Sequence, residues 1–187
     1  MTAYISLLRG INVGPKKTVK MEDLIALYKS LGLENIRTYL RSGNVVFEAP
    51  ARETDTLATI LADSITGAAG FPATVLIRTG DELRAIVANN PFLAEKPYDP
   101  GTLHVTFLSG LPAAISVGEV NKVRDETDRF VIRGREVYLS CPNGYGRTRF
   151  SNTFFERKLA LAATTRNWKT VMALAAMAND GHAREFP

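Results

Sequence analysis

Residues 36–48 read Ile-Arg-Thr-Tyr-Leu-Arg-Ser-Gly-Asn-Val-Val-Phe-Glu, and this stretch has the pattern of a β-hairpin. Two short runs, Ile36–Arg41 and Val45–Glu48, are rich in β-branched and aromatic residues. The tripeptide Ser42-Gly43-Asn44 between them has the composition of a tight turn. The sequence therefore predicts two neighbouring antiparallel strands.

An amphipathic helix is predicted on each side of this hairpin, with one more strand beyond each helix. Apolar residues recur at helical spacing from Met21 to Leu31 and from Leu57 to Ile65. The outer segments Tyr4–Arg9 and Thr74–Thr79 favour strands. The order over residues 3–79 is thus β-α-β-β-α-β, the ferredoxin-like arrangement in which two helices cover one face of a four-stranded antiparallel sheet.

The second half of the chain repeats this plan less regularly. Strands are predicted over Leu103–Leu108, Arg129–Arg133 and Glu136–Ser140. Helices are predicted at 81–89 and 116–124, from a capping box at Thr153-Phe-Phe-Glu156, and from about Arg166 to Ala178 with Thr165 as its cap. We therefore predict an α+β fold of two ferredoxin-like (split βαβ) subdomains packed together, at 1–80 and 81–180, with a linker near 93–101 and a loose tail over 181–187.

Length and composition place the chain among globular proteins. Its 187 residues are 45% hydrophobic and 22% charged, which argues against intrinsic disorder. The one cysteine, Cys141, has no partner for an internal disulfide. No apolar run approaches the roughly 20 residues of a membrane span, and the N-terminus lacks the pattern of a signal peptide. We expect a cytoplasmic protein with no membrane attachment.

The formal net charge of +4 is concentrated between Cys141 and Asn179. In this segment Glu156 is the single acidic residue against Arg147, Arg149, Arg157, Lys158, Arg166 and Lys169. Such a region attracts phosphates or nucleic acid. It is equally compatible with a solvated helix face that keeps the protein soluble.

The loop over 143–153 is the strongest candidate for a binding site. Gly144 and Gly146 permit a close backbone approach to an anion, and a helix is predicted to follow. The loop is neither a Walker A motif nor a dinucleotide fingerprint, and it can also be a plain strand-to-helix connection. The predicted ligand-binding residues are glycines, which leave the backbone accessible, or carry hydroxyl, amide or guanidinium groups. They are Asn143, Gly144, Gly146, Arg147, Thr148, Arg149 and Arg166, with Arg9 and Asn12 from the first loop.

The sequence indicates no reaction, no cofactor and no metal site. His104 and His182 lack Cys or carboxylate partners at ligand spacing, and no Gly-x-Ser-x-Gly motif is present. The third strand lacks the paired aromatics with which RNA-recognition modules stack bases, so specific RNA binding is disfavoured. A phosphate-bearing small molecule or nucleotide is the predicted ligand. The alternatives are nonspecific nucleic-acid association and a protein-interaction module.

Several segments resemble the bacterial family called domain of unknown function 1697. The opening resemblance lies in Leu7-Leu8-Arg9-Gly10-Ile11-Asn12-Val13-Gly14, in Lys20-Met21 and in Ser42-Gly43-Asn44-Val45, and a second signature lies in Asn143-Gly144-Tyr145-Gly146 and in residues 164–171. Pro15 and Thr148 stand where the family often has glycine and serine. The resemblance implies two ferredoxin-like α+β subdomains over essentially the whole chain, and no established activity.

Overall fold

The computed structural model describes residues 1–12, 17–95 and 98–180. These residues form two four-stranded antiparallel sheets and six α-helices, which confirms the predicted α+β class. None of the described helices is long and apolar enough to cross a membrane. The predicted tail at 181–187, residues 13–15 of the resembling segment, which include Pro15, and residues 96–97 of the predicted linker lie outside the described residues.

The first sheet has the order β2-β3-β1-β4, as a ferredoxin-like unit requires. Its elements, in chain order, are β1 (Thr2–Arg9), α1 (Met21–Ser30), β2 (Glu34–Tyr39), β3 (Asn44–Ala49), α2 (Thr54–Ala69) and β4 (Thr74–Thr79). On the face covered by α1 and α2, the Tyr4 and Phe47 rings stack at 5.6 Å, and Tyr28 meets Phe47 edge-on at 5.5 Å. Helix α2 is terminated by Gly70, the residue after Ala69, whose φ of 74° is accessible to glycine at little cost.

The second sheet has the order β6-β7-β5-β8, which is the same topology. Helix α3 (Gly80–Ala88) connects the halves, and the remaining elements are β5 (Leu103–Leu108), α4 (Ala114–Val120), β6 (Arg129–Arg133), β7 (Glu136–Ser140), α5 (Asn152–Leu159), β8 (Ala163–Asn167) and α6 (Trp168–Asp180). Short 3₁₀ turns lie at Pro91–Ala94, Pro100–Thr102 and Tyr145–Arg147. Phe150 and Phe155 lie in the core between this sheet and α4 and α5.

Three sequence-based boundaries are wrong. Residues 163–167 form strand β8, so the last helix begins at Trp168 rather than at Arg166, and the Asn167 side chain accepts the Thr170 N–H at 2.8 Å. Helix α5 is capped by Ser151, whose hydroxyl accepts the Phe154 N–H at 3.3 Å, and not by the predicted box at Thr153. Helix α4 runs from Ala114 to Val120 and not from Ser116 to Arg124, because the chain tightens into a turn in which the Val123 N–H donates to the Val120 carbonyl at 3.0 Å.

The two halves place one arginine at the same sheet position. Arg78 is the register partner of Ile5 in β1, and Arg166 is the register partner of Val105 in β5. In each sheet this position is on the face opposite to the one that the unit's first two helices cover, because side chains alternate along a strand. Both guanidinium groups are buried. The two halves therefore repeat the same topology and strand register, although most of the corresponding residues differ.

The chain divides into two compact units. One contains Met1–Ala85 together with the chain from Met172 onward, and the other contains Ile86–Val171. The division falls inside α3 and inside α6, so the greater part of α6, from Met172, belongs to the first unit. Within that unit, Arg37 Nη2 donates to the Met177 carbonyl at 2.6 Å. The predicted boundary after residue 80 stays a prediction.

Candidate functional site

The segment between β7 and α5, residues 141–151 and here called the β7–α5 loop, is fastened to the second sheet by Tyr145. The Tyr145 hydroxyl donates to Thr165 Oγ1 in β8 at 2.9 Å. Its ring stacks on His104 of β5, with the ring centroids 5.0 Å apart. The middle of this otherwise polar loop is therefore held by one strand through a hydrogen bond and by another through ring packing.

Thr165 is the centre of a small polar network beneath the loop. Its hydroxyl donates to Asn152 Oδ1 at 2.6 Å and lies 2.7 Å from the hydroxyl of Thr106. A threonine hydroxyl has one proton, so with that proton on Asn152 it accepts from both Tyr145 and Thr106. The network joins β5, β8, the loop and the first residue of α5.

The turn at Gly144 sets the direction of the loop. Gly144 has a φ of 86°, a conformation that side-chain-bearing residues rarely adopt. Its N–H donates to the Cys141 carbonyl at 2.9 Å, and its own carbonyl accepts the Arg147 N–H at 3.1 Å. After the turn, Phe150 is buried in the aromatic core and fixes the end of the loop.

Arg147 and Arg149 flank Thr148 in the anchored loop. Thr148 between them is extended, with φ −70° and ψ 142°, and its hydroxyl accepts the Phe150 N–H at 3.2 Å. Both arginines are exposed. Among the residues that the structure describes, the Arg147 side chain has no hydrogen-bond or ion-pair partner.

The neighbouring segment 124–128 contributes opposite charge on one side of the loop. Asn143 Nδ2 donates to Thr127 Oγ1 at 3.2 Å, and Arg149 Nη1 donates to the Arg124 carbonyl at 3.4 Å. The N–H groups of Asp128 and Thr127 lower the pKa of the Asp125 carboxyl, with a smaller contribution from the Arg149 charge. Arg149 is thus partly compensated, whereas Arg147 is not.

Arg166 is not brought together with the β7–α5 loop. It is the register partner of Val105, whereas Thr165, which holds Tyr145, is the partner of Thr106 on the other face of the sheet. Its Nη1 donates to Thr164 Oγ1 at 2.8 Å and to the Thr165 carbonyl at 2.9 Å. Burial lowers the pKa of Arg166 to about 10, so it remains a cation at neutral pH.

Two further titratable side chains, one in the loop and one in β5, are buried. Cys141 is fully buried, and burial raises the pKa of its thiol to about 11 against the opposing effect of the Thr148 hydroxyl. Burial lowers the pKa of His104, whose Nδ1 lies 3.1 Å from the Thr102 carbonyl and therefore carries the proton. In the described parts of the chain, no cluster of three or more His, Cys, Asp or Glu residues is placed to hold a metal ion.

The first unit contains the other predicted site residues, Arg9 and Asn12. Asn12 Nδ2 donates to the carbonyls of Val19 at 3.0 Å and Arg41 at 2.7 Å, and its Oδ1 accepts the Val19 N–H at 2.9 Å. Arg9, the last residue of β1, is partly exposed and is the register partner of Thr74. The amide of Asn12 is thus committed to joining two backbone segments.

Beside Asn12 is a cleft of about 590 Å³, here called the α1 cleft, lined by residues 18–22 with Asn12 and Arg41. Asn12, one of the predicted site residues, lines this cleft, but the sequence did not indicate Lys20 or Arg41, which are distant in the chain and whose backbone segments Asn12 joins. It also missed the Tyr145–Thr165–Asn152 network. A tyrosine between two glycines was the one local signal for that anchor.

Comparison with known proteins assigns the chain to a family. A family model described as "Protein of unknown function (DUF1697)" matches residues 1–138. The chain belongs to this family. The predicted second DUF1697 signature, at 143–146 and 164–171, lies beyond the matched residues.

A solved structure confirms the fold of this DUF1697 chain. It is similar to the conserved bacterial protein SP0830 from Streptococcus pneumoniae, with a TM-score of 0.76 and 23% sequence identity. The match covers 95% of this chain and 98% of that one, so the likeness extends over both units. No curated protein matches the chain.

Proposed function

We propose that the β7–α5 loop binds the phosphate group of a small molecule or nucleotide. The observation that carries the proposal is the pair Arg147 and Arg149, both exposed and two residues apart in a loop that Tyr145 and Phe150 anchor. Guanidinium groups form charge-assisted, bidentate hydrogen bonds with phosphate oxygens. A fixed loop loses little conformational freedom when the ligand binds.

The charge of the surrounding unit supports an anionic ligand. Residues 86–171 carry the whole formal net charge of +4, since basic and acidic residues balance in the rest of the chain. Gly144 and Gly146 add no side chain above the loop backbone, and no atom of the described chain lies within 4 Å of a Cβ built at either. A ligand can therefore approach the backbone closely there. We further infer a cytoplasmic location, in keeping with the single buried thiol.

The roles within the site are unequal. Arg147 is the main charge partner, because it has no protein partner among the described residues and Arg149 shares its charge with Asp125. Gly144, Gly146 and Thr148 shape the loop, and Asn143 holds it to Thr127. Arg166, on the other face of the sheet, contributes only its long-range positive charge, and Arg9 and Asn12 are not required by this loop.

The test is thermal unfolding of the whole protein with inorganic phosphate, pyrophosphate, nucleotides, sugar phosphates and a short RNA, at low and moderate salt. A compound that binds only the native state stabilises it by about 2.7 kcal/mol at a hundredfold excess over its dissociation constant. We expect this stabilisation from one defined phosphate compound. The double variant Arg147→Ala/Arg149→Ala should lose it, with Arg147→Ala alone having the larger single effect.

The matched control is Arg157→Ala/Lys158→Ala, which removes the same charge from two exposed residues at the end of α5. If both double variants weaken the response equally, the binding is general electrostatics. If only RNA and other polyanions respond and moderate salt abolishes the effect, the protein is a nonspecific nucleic-acid binder. If no compound shifts the transition, the phosphate proposal is wrong and a protein-interaction role takes its place.

A further inference from the structure

We propose that the α1 cleft is a second, separate binding site, for a small organic molecule that carries a carboxylate or phosphate group. The cleft lies wholly within the first unit, so the proposal does not rest on the β7–α5 loop. Its volume of about 590 Å³ is in the range of small-molecule sites. The chemistry of its walls selects the ligand class.

Two cations among the described lining residues have no protein partner there. Lys20 and Arg41 are both exposed, and within residues 1–12, 17–95 and 98–180 neither side chain has a hydrogen bond or an ion pair. They belong to different parts of the chain, yet Asn12 bonds the backbone of Val19, next to Lys20, and that of Arg41 itself. Among the described lining residues the carboxylate is Glu22, which lies in the first turn of α1, where the helix dipole stabilises it.

Lys20 is an unfavourable residue for its position. It is the N-cap of α1, where Ser, Thr, Asp or Asn would accept a hydrogen bond from the helix, and it makes no side-chain capping bond. A cation at this end of a helix also opposes the helix dipole. Residues that break a local rule without a compensating contact concentrate at functional sites. An oxyanion between Lys20 and Arg41 would compensate the lysine charge.

The test is an amide-detected NMR titration of the full chain with succinate and, separately, with inorganic phosphate, which distinguishes carboxylate from phosphate recognition. We expect saturable shifts centred on residues 18–22 and 41 with at least one probe. Arg41→Ala and Lys20→Ala should each weaken the affinity about tenfold. Arg52→Ala and Lys29→Ala are the matched controls, since each removes an exposed charge outside the cleft.

Absence of saturable shifts with both probes would overturn the proposal, and so would equal losses in the cleft variants and their controls. Arg147→Ala/Arg149→Ala should leave this titration unchanged. A failure at the α1 cleft therefore leaves the β7–α5 loop standing, and the reverse also holds. Folding of each variant is checked in the same spectra, because loss of dispersion would appear across the whole sheet.

Discussion

The side chain of Asn12 holds two backbone segments together beside α1. Its three hydrogen bonds join the residues before α1 to those after β2, and its own φ is 55°. Asparagine adopts this left-handed conformation more readily than other residues with a Cβ. The residue expected to touch a ligand therefore has a structural role that is sufficient to explain it.

We predict that Asn12→Ala lowers the free energy of unfolding by about 2 kcal/mol, because it leaves three backbone groups without their partner. Urea denaturation measures the change. Asn35→Ala is the control, since Asn35 has a similar φ of 48° and makes one exposed hydrogen bond, to Glu48. An equal loss in both variants would mean that backbone strain, and not the hydrogen bonds of Asn12, sets the effect.

Cys141 makes a prediction about alkaline pH. Its folded-state pKa of about 11 lies above the 9.0 of an unburied thiol, so the folded state holds the proton more tightly. The stabilisation is complete below pH 9 and is lost as the pH rises towards 11. Between pH 9 and pH 11 the free energy of unfolding of the unmutated protein should fall by about 2 kcal/mol more than that of Cys141→Ala. Urea denaturation of both proteins at each pH measures the difference. Parallel pH profiles would contradict this.

At the scale of elements, the sequence predicted most strands well and failed where two elements adjoin. Thr74–Thr79, Leu103–Leu108, Arg129–Arg133 and Glu136–Ser140 all agree with the structure, because turn residues bound them or long β-branched runs fill them. Strand β8 was missed. Its residues 163–167 run into α6 without a turn, and the strand depends on pairing with β5, far away in the chain.

The candidate site was predictable only in part for a similar reason. The glycines and arginines of residues 143–149 are a local signal, and they do form an exposed loop. The bond from Tyr145 to Thr165 spans 20 residues, and the face of Arg166 depends on strand register. Composition contains neither kind of information.

The cap of α5 provides a test of the corrected boundary. Ser151→Ala should cost about 1 kcal/mol, since it removes the acceptor of the Phe154 N–H. Thr153→Ala should change the free energy of unfolding by less than about 0.5 kcal/mol, as expected for an exposed side chain away from such features. Thermal or urea denaturation of both variants decides the matter. The reverse order would restore the helix start at the predicted capping box.

For the whole molecule, the repeat of β-α-β-β-α-β-α is carried by topology and by the shared position of Arg78 and Arg166. The units differ in charge, and the second has the entire basic excess. The first unit is also built from two separate segments of the chain, because residues from Met172 onward in α6 belong to it. Leu174 and Ala178 in that part of α6 are fully buried.

We predict that Leu174→Ala costs about 3 kcal/mol and acts on the first unit. Relative to the unmutated protein, this variant should lose more hydrogen-exchange protection in β1 and β4 than in β5 and β8. Leu159→Ala in α5, also buried, should have the opposite pattern. Equal losses in both sheets for both variants would show that the chain opens as one cooperative body.

The place of α6 has a consequence for how the protein is made on the ribosome. The first sheet is synthesised early, but the helix that completes its unit follows 86 residues later in the chain. At translation speeds of about 5–20 residues per second, that delay is roughly 4 to 17 s. During this interval the nascent first unit exposes apolar surface, which is the period when a chaperone would protect it.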